Sequence, residues 1–589
     1  MCLSEMLKIR FYISNAIAKK RSSCDFLSIL DFLKKERKMS ENLSKLAGRK
    51  GLKEPLFEQL VNKSKANGTV DLKTQRELAQ QFIVGNANVF GTVSFYDFLN
   101  PEHSGKKVHI CSGSACVLAG SQDKLKDQIE KHVDASEVGH MCCLGRCHEN
   151  GAFQFDGQNY SAKSDLEIQE ILSGNRGDNG DNYHVASNLE IPILTGPRHD
   201  STDFFAFLRD CLKKTPDTLL SEIKTSNLRG RGGAGFPLGL KLESCMNTPS
   251  DQKFVVCNAD EGDPGAYSDR YIMEKQGHLL LFGMMIAAYV VGANRGVLYI
   301  RGEYPESIEQ IRKEIEQFRD AGLLGQNINE NGFDFDFKII EGAGAYICGE
   351  ETALLSSIEG QRPEVRVRPP FPTQQGLFNE PTVVNNVETS ASLYHILKNG
   401  GQAYSEMGNG KSTGSKLVCL DSFFNRPGLY EVKMGSPLSE IIYELGGGFK
   451  TDVKALHVGG PLGGIVPVEK IESLTLDFES FASEGFLLGH ASIICIPSSY
   501  PMVKYLEHLF EFTADESCGK CFPCSIGSVR GKEMLIKAQN EDYKIDKKLM
   551  DDLLETLEIG SLCALGGGLP LGIKNAMMYF EDELKTYFS

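Results

Sequence analysis

Hydrophobic residues recur at helical spacing near the start of the chain, in residues 52–100, where Leu56, Leu60 and Val61 mark one face. This period predicts a helical segment. The stretch that follows Tyr500 is again predicted to be helical. Between these two ends, short apolar runs of strand length alternate with helical stretches, so the chain is predicted to be an α/β protein of several domains.

A strand, a cysteine loop and a helix follow one another after the first helical segment. Lys107–Ile110 is a short predicted strand that leads directly into Cys111, and Leu118–His132 is predicted to be an amphipathic helix. Phe153–Tyr160 has the pattern of a β-hairpin. This order places two thiols at the end of a strand, as in a thioredoxin-like ferredoxin domain.

The long region of residues 195–400 has the alternation of an α/β domain. Phe254–Cys257 and Val297–Ile300 are predicted to be buried strands. Leu279–Gly292 is the longest apolar run, but a membrane-spanning helix needs about 20 residues. We therefore expect this run to be a buried core helix and the chain to have no membrane span.

Two further segments suggest domain boundaries. Ser173–Asn182 is polar and rich in glycine, which predicts a linker. Ser415–Val468 contains short β segments and the turn Gly446–Gly448, and this pattern suggests a small β-grasp-like module. The fold class is thus α/β and multidomain, with a helical segment and a thioredoxin-like domain first and a helical domain last.

Charge and cysteine content narrow the class of protein. The 63 basic and 78 acidic residues give a formal net charge of −15, which argues against a nucleic-acid binder. The chain has 17 cysteines but no convincing export signal. Because the cytosol keeps thiols reduced, we expect a cytoplasmic protein whose cysteines do not form a disulfide framework.

Eight of the cysteines fall into two groups with the spacing of iron–sulfur ligands. The first group is Cys111, Cys116, Cys143 and Cys147; the second is Cys518, Cys521, Cys524 and Cys563. A C-x2-C-x2-C run with one distant cysteine is typical of a [4Fe–4S] cluster, and the first group suggests [2Fe–2S]. Zinc also takes four thiolates, though usually from two C-x2-C pairs. The other nine, Cys142 and Cys348 among them, are expected to be small buried hydrophobic residues.

A glycine-rich loop, Gly230–Pro237, satisfies G-x-G-x-x-G, but a helix rather than a strand is predicted before it, which opposes a Rossmann fold. The alternative is a flexible surface loop. Glycines let the backbone approach a phosphate or a flavin ring, and basic side chains lie nearby. These are Arg229, Arg231 and Lys241.

Polar motifs follow the glycine loop. Asn258–Pro264 comes directly after a predicted strand, at the end where α/β sheets bind ligands. Gly342–Thr352 leads into a helix, so Glu350 and Glu351 could serve only its N-terminus. Asn385–Asn386 could likewise only cap a turn. Together the motifs suggest one polar, glycine-lined cavity.

These motifs resemble the flavin-bearing NADH-dehydrogenase subunit of respiratory complex I. The resemblance is carried by Arg229–Lys241, Asn258–Arg270, Gly344–Leu354, Pro369–Thr389 and Glu516–Gly527. The N-terminal cysteine domain resembles the small thioredoxin-like [2Fe–2S] subunit of that complex. The fusion of both on one chain is similar to the flavin (diaphorase) subunit of the NAD-reducing hydrogenases. Formate dehydrogenase β subunits, electron-bifurcating hydrogenases or transhydrogenases, and complex I-like modules use the same core and stay open as alternatives.

The resemblance implies FMN, NAD(H), one [4Fe–4S] cluster and one [2Fe–2S] cluster. It implies that FMN is held by Gly230, Arg231, Gly232, Gly233, Ala234, Gly235, Asn258, Asp260, Asn385 and Asn386. It implies that Phe236 and Phe371 stack adenine, Lys241 meets a phosphate and Glu351 meets ribose hydroxyls, so that Glu351 favours NAD(H) over NADP(H). The further cofactor-binding residues are Glu261, Tyr346, Gly349 and Glu350. Ser244 stands where the family often has a second aromatic residue, which suggests thinner adenine stacking.

The implied activity is that of an NADH:acceptor oxidoreductase in which no side chain acts as nucleophile or base. The [4Fe–4S] cluster would be the first electron acceptor after FMN, and the [2Fe–2S] cluster would lie off the main path of electrons. The implied partners are further iron–sulfur subunits and a hydrogenase or formate dehydrogenase catalytic subunit. Two other hypotheses stay open, a zinc-bearing scaffold and a redox relay without nucleotide activity.

The predicted domains follow from the motifs and the linker. They are an N-terminal extension of uncertain role (1–50), a helical plus thioredoxin-like [2Fe–2S] domain (51–172), a linker (173–184), an FMN- and NADH-binding α/β domain (185–410), a β-grasp-like domain (411–498) and a helical [4Fe–4S] domain (499–589).

Overall fold

Four β-sheets and the helices around them make up residues 51–589, the part of the chain that the computed structural model describes. The extension predicted for residues 1–50 lies outside the described residues. The strands are β1 (Val108–Cys111), β2 (Val138–Met141), β3 (Phe153–Phe155), β4 (Gln158–Tyr160), β5 (His184–Ser187), β6 (Phe254–Ala259), β7 (Arg295–Ile300), β8 (Gly325–Ile328), β9 (Phe333–Glu341), β10 (Thr382–Asn386), β11 (Gly408–Asn409), β12 (Ser412–Thr413), β13 (Ser415–Leu420), β14 (Gly428–Lys433), β15 (Val453–Val458), β16 (Gly464–Pro467) and β17 (Ser492–Pro497).

The helices flank these sheets and close both ends of the described chain. They are α1 (Leu56–Asn67), α2 (Leu72–Phe82), α3 (Asn86–Val93), α4 (Ser114–Leu118), α5 (Gln122–Ile129), α6 (Asp165–Leu172), α7 (Ser201–Leu212), α8 (Pro216–Thr225), α9 (Leu238–Met246), α10 (Ser268–Lys275), α11 (Gly277–Val291), α12 (Pro305–Asp320), α13 (Glu351–Ile358), α14 (Val387–Ala391), α15 (Leu393–Asn399), α16 (Gly401–Glu406), α17 (Phe478–Ser483), α18 (Met502–Asp515), α19 (Phe522–Asn540), α20 (Lys547–Gly560), α21 (Ala564–Tyr579) and α22 (Glu581–Leu584).

The N-terminal part has the predicted helices α1 to α3 and a four-stranded sheet of order β2-β1-β3-β4. The strand before Cys111 and the hairpin β3–β4 are confirmed. The helix predicted for Leu118–His132 is present but shorter, as α5, and the short helix α4 ends at Leu118 before it. Gly120 separates them with a φ of 62°, in the left-handed region that ends helices.

The α/β region is built on a five-stranded sheet of order β10-β6-β7-β9-β8. The strands β10, β6, β7 and β9 are parallel, and β8 runs antiparallel to β9. Helix α11 is buried along nearly its whole length, as its apolar sequence predicts. Among residues 51–589, no helix combines the length and the hydrophobicity that a membrane crossing requires.

The third large sheet has six strands in the order β16-β15-β17-β13-β14-β5. The predicted β segments are present as β13 and β14, but β5, which precedes the α/β region in sequence, pairs in parallel with β14. The β-grasp arrangement is not confirmed. The chain therefore enters this sheet before the α/β region and returns to it afterwards, which ties the two parts together.

The last part is a bundle of the helices α18 to α21, as predicted. One hydrophobic core extends through all the parts, since Cys143 of the N-terminal domain, Val255 of β6, Leu417 of β13 and Leu509 of α18 belong to the same buried cluster. The two cysteine groups are therefore held in fixed positions relative to the central sheet.

Candidate functional site

The glycine-rich loop connects α8 to α9 and is closed on itself, because the Gly230 amide donates a hydrogen bond to the Phe236 carbonyl at 2.9 Å. A helix precedes it, so the fold is not a Rossmann fold, as predicted. Gly233 and Gly235 have φ values of 110° and 60°, which only glycine adopts without strain. A Cβ on Gly232 would lie 3.0 Å from the Asn386 Cβ, so the loop backbone lies directly against the end of β10.

The polar motifs that follow the loop in sequence meet at the carboxyl ends of β6 and β10. Asn258 and Asn386 are register partners on these two parallel strands. The Asn258 side-chain amide donates to the Gly349 carbonyl at 2.7 Å, which draws in the segment before α13. The Arg231 amide donates to Thr389 Oγ1 at 2.8 Å. The predicted single site is thus formed from segments more than 150 residues apart.

Buried polar atoms without a partner mark the interior of this site. Asp260 Oδ2 and Asn385 Nδ2 have no hydrogen-bond partner in the described part of the chain. Burial raises the pKa of Asp260 well above its usual range, against the opposing charge of Arg301. An unsatisfied buried donor or acceptor is costly, and a flavin ring with its ribityl chain offers both acceptors and donors. These residues therefore fit FMN, with Asn385 as a donor and Asp260 as a second polar contact.

Not every predicted residue faces the cavity. The guanidinium of Arg231 is fully buried and donates to the Tyr404 hydroxyl at 3.2 Å. Arg229 donates to the Gly235 carbonyl at 2.7 Å and pairs with Glu479 at 2.6 Å. These two arginines therefore stabilise the loop through contacts within the protein. Of the three predicted basic side chains, Lys241 is the one that reaches the predicted nucleotide residues.

Glu261 also contacts backbone groups of the protein rather than facing a ligand. Its carboxylate accepts hydrogen bonds from the Asp269 and Arg270 amides at 2.9 and 3.0 Å, which are free N–H groups at the start of α10. Burial and the neighbouring Asp269 raise the pKa of Glu261 to about 7. The carboxylate therefore fixes the turn after β6 from below the site.

His490 is a residue of this region that sequence reasoning missed. It lies beneath the glycine loop, where a Cβ on Gly233 would come within 3.9 Å of the His490 amide nitrogen. Its Nε2 is 3.5 Å from Asp269 Oδ2 and 3.7 Å from Glu261 Oε1. Burial lowers its pKa, but Asp269 and Glu261 outweigh that effect and raise it to about 9. No spacing or motif in the sequence connects His490 to residues more than 200 positions earlier.

The predicted nucleotide residues, which we call the nucleotide mouth, include two exposed aromatic rings and a small charge cluster. Phe236 and Phe371 are 51% and 53% exposed. Lys241 Nζ donates to the Val384 carbonyl at 2.8 Å and lies 3.8 Å from Glu351. Burial lowers the pKa of Lys241, and Glu351 opposes that shift. This arrangement suits the adenosine part of a nucleotide.

The two neighbouring glutamates differ in what they contact. Glu350 caps α13 and accepts from the Thr352 and Ala353 amides at 2.8 and 2.9 Å. Glu351 lies on the side of the helix with Lys241, and its Oε1 is 2.9 Å from Arg368 Nη1. The helix N-terminus therefore accounts for Glu350 but not for Glu351. Arg368 was not predicted, although it directly precedes the Pro-Pro pair of the motif.

The first cysteine group is enclosed. Cys111, Cys116, Cys143 and Cys147 are at most 2% exposed, and Cys143 Sγ and Cys147 Sγ are 3.5 Å apart. The Gly265 amide, from the motif after β6, donates to Cys147 Sγ at 3.2 Å. Four thiols at a strand end and in one tight loop fit a small cluster.

Buried arginines tie this cysteine loop to the central sheet. Arg301 donates to the Cys142 carbonyl at 2.8 Å and to Glu303 at 2.8 Å. Arg270 donates to the Gly145 carbonyl at 2.8 Å. Both guanidinium groups are 3% exposed, so the loop is fixed from the side of the flavin site.

The second cysteine group lies nearer the surface. Cys518 and Cys524 are buried, whereas Cys521 and Cys563 are partly exposed, and all four surround one apolar cluster with Ile347 and Leu565. Cys521 and Cys563 are the residues that precede α19 and α21. Four thiols around one apolar cluster, in a C-x2-C-x2-C run with one distant cysteine, fit a cubane.

Three family descriptions match the chain in sequence order. They are a thioredoxin-like [2Fe-2S] ferredoxin over residues 44–176, the Nuo51 FMN-binding domain over residues 223–395, and the iron-sulfur binding region of NADH-ubiquinone oxidoreductase F over residues 504–587.

Individual proteins match over larger parts of the chain. The NADP-reducing hydrogenase subunit HndC of Solidesulfovibrio fructosivorans is 41% identical over 64% of this chain and 78% of its own. The NAD-reducing hydrogenase HoxS subunit alpha of Cupriavidus necator is 32% identical over 83% of this chain and 85% of its own. A crystal structure of an NAD+-reducing [NiFe]-hydrogenase in the H2-reduced state matches with a TM-score of 0.79 and 26% identity, over 91% of this chain and 93% of the other.

Proposed function

The chain belongs to the family of FMN-binding, iron–sulfur flavoprotein subunits of NADH dehydrogenases and NAD-reducing hydrogenases, and we propose that it transfers electrons between NAD(H) and a partner subunit. Its cofactors are FMN, a [2Fe–2S] cluster and a [4Fe–4S] cluster. The hydrogenase assignment is favoured over a complex I module because the hydrogenase relative matches both the thioredoxin-like part and the flavin part on a single chain.

One short segment, residues 346–351, supports this proposal because it contacts all three functional regions. The Tyr346 amide donates to Glu516 at 2.7 Å, just before the second cysteine group. The Gly349 carbonyl accepts from Asn258 at the flavin site. Glu351 contacts Lys241 at the nucleotide mouth. A nucleotide, a flavin and a cluster bound at these places would therefore be close neighbours around one backbone turn.

The residues of the chain bind and orient the reactants. When bound, FMN supplies the ability to accept two electrons from NADH and to pass them on singly. The backbone of Gly230–Gly235 holds one face of the flavin site, and Asn258 and Asn385 fix its polar edges. Glu351 and Lys241 hold the nucleotide at the mouth, and Phe236 and Phe371 offer exposed rings to its adenine. We assign no nucleophile or general base, because orientation of the two rings suffices.

Electrons leave the chain beside Cys521 and Cys563, which are the partly exposed thiols of the two ligand groups. Phe522, Ile526 and Val529 form an apolar row on α19 and are 76%, 52% and 39% exposed. Gly560 lies against Pro523, since a Cβ there would be 2.7 Å from Pro523 Cγ, and this brings the end of α20 alongside the row. There Ile559 and Leu562 are 77% and 40% exposed.

We call these five residues (Phe522, Ile526, Val529, Ile559 and Leu562) the exit surface. Large apolar side chains clustered on a surface mark interaction sites. Their position next to the outer cysteines supports docking of an iron–sulfur partner subunit, which is the next step toward a hydrogenase catalytic subunit. We further propose a cytoplasmic location, because the cysteines of residues 51–589 are all unpaired in the structure.

The proposal predicts NADH oxidation by the isolated chain. The full chain, loaded with FMN and both clusters, should reduce an artificial one- or two-electron dye with NADH in the absence of partners. Loss of turnover in Glu351→Gln plus Lys241→Met, with flavin content unchanged, would support the assigned mouth. A fully loaded chain that shows no NADH–dye turnover would contradict the proposal and favour a redox relay without nucleotide activity.

A further inference from the structure

Arg368 changes the electrostatics that the sequence predicts for the nucleotide mouth. The sequence predicts that Glu351 repels a 2′-phosphate and so selects NAD(H). In the structure, Glu351 Oε1 is 2.9 Å from Arg368 Nη1, and Glu351 Oε2 is 3.8 Å from Lys241 Nζ. Glu350 Oε1 lies 3.6 Å from Arg368 Nη2. Two cations therefore balance two carboxylates at this place, and Glu351 carries no uncompensated charge.

The two cations are not equally available to a ligand. Lys241 Nζ donates to the Val384 carbonyl, which holds it toward the sheet. Arg368 has no contact of this kind with the backbone among the described residues, and its side chain is 33% exposed. Ion pairs on partly exposed side chains contribute little to stability. Arg368 can therefore leave Glu351 for a stronger anion without a large loss.

The backbone around Arg368 favours binding of a ligand that stacks on the neighbouring ring. Pro369 and Pro370 follow it directly, and proline restricts both its own backbone and that of the residue before it. Phe371, the exposed ring predicted to stack adenine, comes three residues after Arg368. A guanidinium group binds phosphate through two parallel N–H donors.

We propose that Arg368 binds the 2′-phosphate of an adenine dinucleotide, so that this site accepts NADP(H) as well as NAD(H). Glu351 accepts hydrogen bonds from the ribose hydroxyls of NAD(H). When NADP(H) binds, the Arg368 side chain leaves Glu351 and pairs with the 2′-phosphate. The inference rests on the proposed function, because it requires that the mouth bind adenosine at all.

Direct binding of two nucleotide fragments tests the inference without turnover. Adenosine 5′-monophosphate and adenosine 2′,5′-bisphosphate are titrated by calorimetry into the full chain loaded with FMN and both clusters. We expect the wild type to bind both fragments. Arg368→Gln should weaken the bisphosphate by about 10-fold or more, as expected for loss of a charged hydrogen bond. Binding of the monophosphate should stay within about threefold, because an exposed ion pair contributes little.

Two further variants sharpen the result. Arg368→Lys keeps the charge but not the two-donor geometry, so its affinity for the bisphosphate should be intermediate. Arg312→Gln is the matched control, because Arg312 forms a similar exposed pair, 2.6 Å from Glu341, away from the mouth. It should bind both fragments like the wild type.

Four outcomes would contradict the inference. Equal weakening of both fragments by Arg368→Gln would show a general structural role, and no weakening would show that another residue meets the phosphate. A wild type that binds the monophosphate but not the bisphosphate would overturn the inference and leave the proposed function intact. If neither fragment binds, the nucleotide site itself is wrong and the inference fails with it.

Discussion

The two cysteine groups differ in how they are enclosed, and the difference suggests how electrons pass through the chain. Around the first group, Arg270 and Arg301 fix the loop to the central sheet and a Gly265 amide contacts the Cys147 sulfur. Around the second group, Cys521 and Cys563 are partly exposed and border the exit surface. The enclosed group suits exchange of electrons within the chain, whereas the outer group suits exchange with another protein.

The largest expected effect comes from Cys521→Ala. It removes one of four thiolates from the outer site, and a cubane with an open corner degrades. We expect the [4Fe–4S] EPR signal and electron delivery to the partner subunit to be lost, while the [2Fe–2S] signal and NADH–dye turnover remain. EPR of the reduced protein and both activity assays check this. Loss of the [2Fe–2S] signal instead would mean that the two sites have been assigned the wrong way round.

Arginine removal tests the enclosure itself. Arg301→Leu leaves the buried Glu303 and the Cys142 carbonyl without their donor, and breaking a buried pair costs about 3–5 kcal/mol. Arg362→Leu is the matched change at the outer site, where the partly buried Arg362 donates to the Cys518 carbonyl at 3.2 Å. It should cost about 1 kcal/mol. Urea unfolding of both variants measures the difference, and equal losses would contradict the contrast between the two sites.

The two cysteine groups could be predicted from the sequence, because iron–sulfur ligands are spaced by local turns, but their different enclosure could not. The eight cysteines, the glycine loop and the strand ends were found by spacing and by the hydrophobic pattern. Side-chain direction was not, since it depends on packing between distant segments. Arg231 is turned into the core toward Tyr404, and His490 lies beside Asp269 although 221 positions separate them. Arg368 could not be predicted as a site residue, because its contact with Glu351 depends on the fold of the intervening loop.

The bounds of helices and the assignment of strands to sheets also could not be predicted from the sequence pattern. The helix predicted from Leu118 begins only at Gln122, because Gly120 in the left-handed region precedes it. The strand β5 is short and mostly exposed, so it has no strong hydrophobic signal. It belongs to its sheet because it pairs with β14, and such pairing between distant segments is not visible in a local pattern.

Iron loss should separate the two sites by a smaller factor. A chelator with mild oxidant reaches partly exposed thiolates before buried ones, because reactivity follows exposure. We expect the [4Fe–4S] EPR signal to decay about 10-fold or more faster than the [2Fe–2S] signal, as solvent access differs between Cys521 and the fully buried Cys143. Parallel decay of the two signals would indicate that exposure does not control release.

The last expected effect concerns the exit surface. Phe522→Ser removes the side chain that is 76% exposed next to Cys521, so folding should lose little. If the partner subunit buries this ring, the change removes about 1.5–3 kcal/mol of apolar contact, which corresponds to about 10- to 150-fold weaker binding. Leu72→Ser is the matched control, because Leu72 is 58% exposed on α2, away from the outer cysteines. Binding of the co-expressed iron–sulfur partner subunit is measured by calorimetry, and NADH–dye turnover should be unchanged in both variants. If Phe522→Ser binds the partner like the wild type and Leu72→Ser does not, then the partner docks at the N-terminal helices, and the outer cluster is exposed for another reason.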